Sequence, residues 1–282
     1  MIKEKKMQKY ILLILLSLSL NAQNNEERFF KDKNAHADGF GLHSDIAYSS
    51  YLIELDSSEL NSAIDYDVLE FTLGSTYSYE QWMFGLYGKF LLKELNSNMF
   101  VVTTQQKLGD QANIDKEEFG VYANYTLSQK ENDAWRVNFI YRYSSLEAKD
   151  SYKEFNVYQS TFDYETQGVA LSLVYAQTLN DKSSWFAQAG LLYSRAKVQL
   201  SESVNTQLQD TFVDDTAQAL GGKVSLGYSY ALSNQLFLTL RTDAWRLNFG
   251  ELNVGSRVGD TLPKAKLKEQ SFTTYTGLSW RF

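Results

Sequence analysis

His43 and Asp45, two residues apart, come nearest in this chain to a catalytic pair. Residues two apart share one face of an extended strand, so the Asp45 carboxylate could orient the imidazole as a general base. Ser44 points to the opposite face of such a strand and cannot complete a triad locally. The only other histidine, His36, lies in a separate polar segment. We therefore favour the alternative, a histidine satisfied within a polar interior.

Other chemistry-bearing patterns are scarce. The sequence contains no HExxH, GxSxG or P-loop motif. It has no cysteine, which excludes disulfides and thiolate metal sites. The acidic residues between predicted strands lack the spacing of a calcium-binding loop, so we predict solvated charges, no metal site and no cofactor.

The last residues of the chain alternate strictly. Phe272, Thr274, Thr276, Leu278, Trp280 and Phe282 occupy every second position, and small or polar residues lie between them. A period of two predicts a strand with one apolar face. A strand that finishes on a carboxy-terminal phenylalanine resembles the assembly signal of bacterial outer-membrane β-barrels. The resemblance implies that Leu278, Trp280 and Phe282 are recognised by the outer-membrane insertion machinery.

Ten segments of the chain alternate in this way. They run approximately over 39–54, 66–79, 82–93, 118–128, 134–147, 166–179, 185–198, 217–232, 235–249 and 271–282. The gaps after even-numbered segments are short, and the gaps after odd-numbered segments are long. Outer-membrane barrels have an even strand count, short periplasmic turns and long external loops. The sequence therefore predicts a single ten-stranded antiparallel transmembrane β-barrel of the all-β class over 39–282.

The two faces of these segments differ in polarity. One face is a continuous apolar surface, and the other carries charges in the middle of strands. Both faces are accommodated if the apolar face contacts lipid and the charged face lines a polar lumen. The residues predicted to line the lumen are Glu70, Lys89, Arg136, Arg142, Lys223, Arg241 and Asp243, and the same alternation places Lys93 with them. Counting back from the turn at Glu80-Gln81 places Glu70 diagonally opposite Lys89, within reach of an ion pair.

Aromatic residues cluster near the short-turn ends of the segments, which predicts a periplasmic aromatic belt. A thinner external belt is predicted from Tyr48, Tyr141, Tyr143, Tyr193 and Trp245. The ninth segment is ambiguous, because Leu236, Leu238 and Leu240 have one parity while Trp245, Leu247 and Phe249 have the other. Either a β-bulge near Asp243 restores the register, or the strand has left the membrane by Trp245.

The amino terminus reads as an export signal. Lys3, Lys5, Lys6 and Lys9 precede a short apolar run from Ile11 to Leu20, which is typical of a secretory signal peptide over 1–22. Residues 23–38 are polar and unpatterned, and we predict a periplasmic tail. Removing 1–22 changes the formal net charge from −7 to −10, which gives no support for nucleic-acid binding.

Ten strands and long external loops also resemble the omptin family of surface proteases. That resemblance implies acidic pairs and a histidine near the external rim. Asp65 and Asp67 lie where one acidic pair is expected, and Asp214 and Asp215 lie in a later loop. No histidine follows residue 43, so the resemblance stops at the architecture and argues against protease activity.

Three functions remain open. We favour a non-enzymatic outer-membrane protein of a Gram-negative bacterium, with a structural or surface-interaction role through its external loops. The alternatives are a narrow, porin-like channel for small solutes and an omptin-like surface hydrolase. Barrels of about eight strands are filled by side chains and barrels of roughly 16–18 strands hold an aqueous pore, so ten strands favour a filled lumen. The expected partners are outer-membrane lipid, lipopolysaccharide and the insertion machinery, with an external ligand that the sequence does not identify.

Overall fold

The computed structural model describes residues 39–56, 61–101, 106–108, 113–130, 132–151, 158–204, 208–253 and 264–282. The predicted signal peptide and periplasmic tail lie outside the described residues. The described residues form eleven strands: β1 Gly39–Asp56, β2 Asn61–Tyr79, β3 Trp82–Val101, β4 Gln106–Leu108, β5 Asn113–Gln129, β6 Asp133–Ser151, β7 Tyr158–Asn180, β8 Ser183–Val204, β9 Leu208–Ala231, β10 Leu236–Leu252 and β11 Ala265–Arg281. Within these ranges, no helix is long and apolar enough to cross a bilayer.

Ten of the strands close into an antiparallel barrel, as predicted. Each long strand pairs with its neighbours in chain order, β2 pairs with β3, and β1 pairs with β11 to close the sheet. The three-residue strand β4 pairs only with the end of β3. Closure pairs each of the ten long strands with a neighbour on both sides, as a sheet that spans lipid requires, although the β3–β5 ladder runs only from Trp82–Tyr125 to Phe90–Glu117.

The two ends of the barrel have different connections. At one end, called the turn end, are the first residues of β1, the carboxy terminus and the turns at 80–81, 130–132, 181–182 and 232–235. Glu80 adopts a left-handed φ of 52°, the conformation that a tight two-residue hairpin turn requires. The opposite end, called the loop end, carries the connections after β1, β3, β6, β8 and β10.

The predicted strand limits differ in accuracy between the two ends. At the turn end, observed and predicted limits agree within two residues. At the loop end the strands are longer: β7 begins at Tyr158 rather than 166, and β9 begins at Leu208 rather than 217. Much of the sequence predicted as external loop therefore continues the barrel wall.

The outward face near the turn end is apolar and rich in aromatic rings. Outward leucines and phenylalanines such as Phe84, Leu171 and Leu226 are exposed, which suits contact with hydrocarbon. Below them, aromatic rings pack in tilted or edge-on contacts: Trp82 with Tyr125 at 4.7 Å, Trp135 with Tyr175 at 4.9 Å, and Tyr175 with Trp185 at 5.5 Å between centroids. These rings form the belt predicted at this end.

Near the loop end the polarity of the two faces reverses. Leu247 is fully buried and Phe249 is 6% exposed, although both have the parity of the charged inward residues Arg241 and Asp243. The β9–β10 register runs without a shift from Phe237 to Phe249, so no bulge occurs near Asp243. The strand instead continues with its apolar side inward, which agrees with the other interpretation, that it has left the membrane by Trp245.

Two details of the predicted faces are wrong. Trp245 packs against the interior apolar residues and does not belong to the external belt. Lys93 pairs with the outward Leu69 and is exposed, because an irregularity in β3 between Leu91 and Lys93 reverses the parity. Bulges cannot be located from alternation alone, since the inserted residue carries no compositional mark.

Candidate functional site

The middle of the barrel interior contains a network of charged side chains centred on Glu70. Lys116 Nζ lies 2.7 Å from Glu70 Oε1, and Lys89 Nζ lies 3.8 Å from Glu70 Oε2. The Ser49 hydroxyl donates to the same carboxylate, and the Tyr51 hydroxyl donates at 3.0 Å. Glu70 is 1% exposed, so a buried anion is balanced by two cations and two hydroxyl donors.

Further ion pairs extend this network around the barrel wall. The Tyr87 hydroxyl donates to Glu118 at 2.8 Å, and Arg142 lies 4.0 Å from the same carboxylate. Asp243 lies 3.0 Å from Lys223 and 3.3 Å from Arg241. We call the set the central charged layer: Glu70, Lys89, Lys116, Glu118, Arg142, Lys223, Arg241, Asp243 and Glu269.

Aromatic rings separate the charges of this layer. The Lys116 ammonium lies 3.5 Å from the centre of the Tyr51 ring, and the Arg241 guanidinium lies 4.0 Å from that of Tyr275. Cations above ring faces are attracted by the ring quadrupole. The Tyr164 hydroxyl donates to Glu269 at 2.6 Å. The layer is therefore densely filled, and its carboxylates are occupied by cations and hydroxyl groups.

Sequence reasoning missed Lys116 and Glu269. Lys116 precedes the predicted start of its strand at 118, and Glu269 falls in the predicted loop 250–270. A signal was present in the sequence, because Ile114, Lys116 and Glu118 alternate with the outward Asp115 and Glu117. Here the apolar Ile114 lies on the same inward face as the charged Lys116 and Glu118. A search for strands with apolar residues on the outward face and charges on the inward face therefore does not find this segment.

Above the central charged layer, toward the loop end, the interior is apolar. The large members of this apolar layer are Tyr51, Ile53, Leu55, Ile64, Tyr66, Val68, Ile114, Leu146, Phe162, Tyr164, Val198, Leu200, Val213, Leu247, Phe249, Leu252 and Leu267. Tyr51 and Tyr66 stack with ring centroids 4.9 Å apart. Side chains from β1, β2 and β5–β11 therefore meet inside the barrel as they do in the core of a soluble protein.

Below the central charged layer, the lumen at the turn end is more open. Its inward side chains His43, Asp45, Arg136, Asn138 and Gln188 are only partly buried. Arg281, the last residue of β11, is exposed and stacks above the Phe237 ring at 5.0 Å. We call this part of the lumen the vestibule. Of the predicted lumen residues, Arg136 lies in the vestibule, and the other six belong to the central charged layer.

His43 and Asp45 share a face but lean in opposite directions. The His43 ring lies over Gly74 of β2, where an added Cβ would fall 2.2 Å from the ring. The Asp45 carboxylate lies over Gly277 of β11. In the described part of the chain, no hydrogen bond joins the two side chains, so the structure does not bring them together as a His–Asp pair.

The acidic residues considered for an omptin-like site do not converge. Asp65 and Asp67 lie on the outward face of β2, opposite in parity to the buried Tyr66. Asp215 accepts hydrogen bonds from the Asn253 backbone and side-chain nitrogens, both at 2.8 Å. Asp214 is exposed. Among the described residues, no group of histidines and carboxylates could hold a metal ion.

The outward face near the loop end forms a charged collar. Carboxylates predominate on β1, β2, β5, β6 and β7: Glu54, Asp56, Asp65, Asp67, Asp115, Glu117, Glu147, Asp163 and Glu165. Basic residues predominate on β8, β10 and β11: Arg195, Lys197, Arg246, Lys264, Lys266 and Lys268. Lys264 pairs with Glu251 at 3.6 Å, and Lys268 pairs with Asp56 at 3.7 Å. The collar is therefore basic on one side and acidic on the other.

A concavity of about 880 Å³ lies on the outer wall beneath the basic side of the collar. Small residues, including Ala189, Gly222 and Ala244, form its floor, and Phe272 and Arg246 form part of its margin. Most of its lining belongs to the outward face, and Lys223 of the central charged layer also borders it. Its position on the outward face makes it a surface for lipid.

The predicted assembly signal lies at the closure of the barrel. The Phe282 backbone nitrogen donates to the Phe40 carbonyl at 2.8 Å. The Phe282 ring stacks with Phe40 at 6.1 Å and with Trp280 at 6.0 Å between centroids. Leu278 and Phe282 are exposed on the outward face. The residues thus form one apolar surface on the last strand.

Comparison with known proteins identifies the family. Residues 100–282 match the OmpA-like transmembrane domain, and the chain belongs to that family. It is an outer-membrane β-barrel of bacteria. In such barrels the short turns lie in the periplasm and the long loops lie outside, so we expect the turn end in the periplasm and the loop end outside. No curated protein sequence matches the chain.

Several solved structures are similar to this chain at low sequence identity, and the first of them shares its fold. The outer membrane protease OmpT from Escherichia coli is similar over 89% of this chain and 100% of its own, with 10% identity and a TM-score of 0.63. The translocator domain of the autotransporter NalP from Neisseria meningitidis covers 99% of this chain and 96% of its own at 13% identity, with a TM-score of 0.48. OprG from Pseudomonas aeruginosa covers 89% and 98% at 14% identity, with a TM-score of 0.42.

Proposed function

We propose that this outer-membrane barrel is a closed, non-enzymatic protein that has a structural or surface-interaction role and presents its loop end outside the cell. The filled interior carries this proposal. A solute entering from the vestibule meets the central charged layer and then the apolar layer, both built from the strands themselves. Strand residues held by ladder hydrogen bonds on both sides form a rigid obstruction.

A narrow porin is the second candidate, and the vestibule favours it. Its partly exposed, polar inward residues support the entry of water into the half of the lumen at the turn end. Conduction would additionally require a path through the apolar layer, where Leu247, Leu252 and Leu267 have no exposed surface. A dry apolar constriction opposes the passage of ions.

An omptin-like hydrolase has less support. His43 and Asp45 lean toward opposite neighbouring strands, and Asp65 and Asp67 face outward. General acid–base catalysis requires groups within hydrogen-bond reach of one substrate atom. The likeness to OmpT extends to the fold, and we do not carry the protease activity to this chain.

The charged collar supports an interaction role. Its basic residues on β8, β10 and β11 lie just above the apolar outward band, at the level where lipid head groups are found. Lipopolysaccharide carries phosphates at this level, and basic clusters attract anionic head groups. We include lipopolysaccharide among the partners on this ground, and the insertion machinery on the ground of Leu278, Trp280 and Phe282.

Single-channel recording on the purified, refolded mature chain tests the closed barrel. We expect no stable conductance, because both interior layers exclude ions. A triple variant, Leu55→Ala, Leu247→Ala and Leu267→Ala, provides the matched comparison. Leu55 pairs directly with Leu267, and Leu247 pairs with Glu269 two residues along, so the three truncations thin one side of the apolar layer.

The triple variant is expected to show conductance above that of the wild type if it remains folded. A large, stable conductance from the wild-type protein would replace the proposal with the porin. Hydrolysis of peptide or lipid by the wild type that is lost in His43→Ala, with the barrel still folded, would replace it with the hydrolase.

A further inference from the structure

A polar patch in the vestibule joins three neighbouring strands. Arg136 of β6 is in register with Val174 of β7, which is in register with Gln188 of β8. In the adjoining inward row, Asn138 of β6 is in register with Ser172 of β7. The four polar side chains therefore occupy one continuous area of the inner wall, about two strand spacings wide.

Each of these four side chains has a buried polar atom without a hydrogen-bond partner. The atoms are Arg136 Nε, Asn138 Oδ1, Ser172 Oγ and Gln188 Nε2. Ser172 is 3% exposed, and its hydroxyl lies over Gly190, which has no side chain to obstruct it. Buried polar groups in folded proteins are nearly always satisfied, so four such atoms in one patch offer hydrogen-bonding capacity to a bound species.

The charge of the patch indicates the sign of that species. From β5 to β9, the described inward residues below Arg142 and Lys223 include no carboxylate. Across the lumen, β11 contributes Arg281, a second cation. Asp45, the one carboxylate of the described vestibule residues, lies over Gly277 on the opposite wall. Among the described residues, the Arg136 guanidinium therefore has no counterion on its own part of the wall, and its charge attracts an anion.

We propose that the vestibule binds an oxyanion, the phosphate or carboxylate group of a periplasmic solute, on the patch formed by Arg136, Asn138, Ser172 and Gln188. The planar guanidinium matches two oxygens of such a group. The serine hydroxyl and the glutamine amide add donors, and the Asn138 amide adds another when it is turned to present its nitrogen. The opening at the turn end provides access from the periplasm. This binding is independent of conductance and does not rest on the closed-barrel proposal.

Calorimetric titration with inorganic phosphate tests the site. The full mature chain is refolded in an uncharged, sugar-headed detergent, which carries no phosphate of its own, and ionic strength is held constant with sodium chloride. We expect saturable binding to one site. Arg136→Gln should weaken it at least about tenfold, the effect of losing a charge-assisted hydrogen bond. A parallel titration with acetate distinguishes a phosphate ligand from a carboxylate ligand.

Two further variants control the measurement. Ser172→Ala with Gln188→Leu leaves Arg136 in place and should also weaken binding, and heat-modifiable gel mobility shows that each variant is folded. Lys149→Gln removes an exposed cation from the acidic side of the collar and should leave binding unchanged. Absence of saturable binding of either anion, equal affinity in Arg136→Gln, or the same loss in Lys149→Gln would each overturn the proposal.

Discussion

Glu70 balances more than one cation, and this makes it the most sensitive single residue in the interior. Its two carboxylate oxygens face Lys116 and Lys89, and Ser49 and Tyr51 also donate to them. Removing the negative charge would leave two ammonium groups in a poorly hydrated space. Removing one partner of a buried ion pair lowers the free energy of unfolding, because the remaining charge is still desolvated and no longer has a counterion.

Glu70→Gln should therefore destabilise the barrel by ~3–5 kcal/mol, less whatever lumen water recovers. The double variant with Lys116→Met should lose less than the sum of the two single variants, with a coupling of ~1–3 kcal/mol. The corresponding cycle with Lys89→Met should show a smaller coupling, because Lys89 lies at 3.8 Å rather than 2.7 Å. Urea unfolding in detergent, followed by heat-modifiable mobility, measures all three.

The exposed pair Glu147 and Lys149 in the collar is the matched control, since both side chains are more than two-fifths exposed. Its cycle should show less than about 1 kcal/mol of coupling. Additive effects at Glu70 and Lys116, indistinguishable from this control, would mean that the interior pair is hydrated and contributes nothing specific.

Individual contacts of the charged layer were only partly accessible from the sequence. Counting from a tight turn places Glu70 diagonal to Lys89, because a hairpin fixes register across two strands. The same reasoning does not reach Lys116, which lies on β5 beyond a long connection whose length does not fix register. Contacts across the lumen, such as Lys89 with Tyr275 at 3.4 Å, depend on closure of the whole sheet.

At the scale of the strand, each long element changes environment along its length. The outward side is apolar near the turn end and charged near the loop end, while the inward side changes in the opposite sense. β10 shows the change within one strand: Leu240 is outward and exposed, and Leu247 is inward and buried. The same two-residue alternation of side chains therefore continues through the lipid-facing and the water-facing parts of each strand.

Leu247→Ala should destabilise the protein by ~2–5 kcal/mol, because it opens a cavity in the apolar layer. Asn248→Ala, one residue along and on the exposed face, should change stability by less than about 0.5 kcal/mol. Urea midpoints of the two variants in the same detergent give the comparison. Equal effects would show that the apolar layer is not packed as a core.

The last strand carries a separate prediction. Deleting Phe282 removes the stack with Phe40 and Trp280 and the backbone hydrogen bond to Phe40. We expect less inserted protein in the outer membrane with export unimpaired, measured by cell fractionation and heat-modifiable mobility. Phe282→Tyr keeps the ring and should retain assembly. Normal insertion of the deletion variant would remove this role for the terminus.

Strand existence and turn-end limits followed from the sequence because tight turns and aromatic belts mark them chemically. The loop-end limits did not follow. In the bilayer, the apolar side chains of a barrel strand face outward to lipid. Beyond the bilayer the surroundings are water, and the apolar side chains face the barrel interior instead. The sequence of β10 already contains this change, because its apolar residues switch parity between Leu240 and Trp245.

For the whole molecule, the arrangement of the two ends is open to direct test because the chain has no cysteine. Lys197→Cys, in the basic part of the collar, should react with a membrane-impermeant maleimide on intact cells. Asp181→Cys, in the turn between β7 and β8, should react only after lysis, because the turn end faces the periplasm. Gel-shift labelling before and after lysis reports both.

The unmodified chain is the background control for this labelling. Reaction of Asp181→Cys on intact cells together with protection of Lys197→Cys would invert the topology. Both residues are exposed on the surface, so neither substitution should disturb assembly.

The reversal of polarity along the strands also sets how deeply the protein sits in its bilayer. Sinking by one or two residues would carry Asp67, Glu117, Glu165 and Arg195 into hydrocarbon, and rising would expose the leucine band to water. The height of the apolar band on the outer surface of the barrel thus sets the bilayer thickness that the protein matches. Tilting of the closed barrel corrects a mismatch only slightly. Such a protein is matched to a thin membrane, as bacterial outer membranes are, and mismatched to thicker ones. We therefore expect the protein to insert most favourably into bilayers of short-chain lipids.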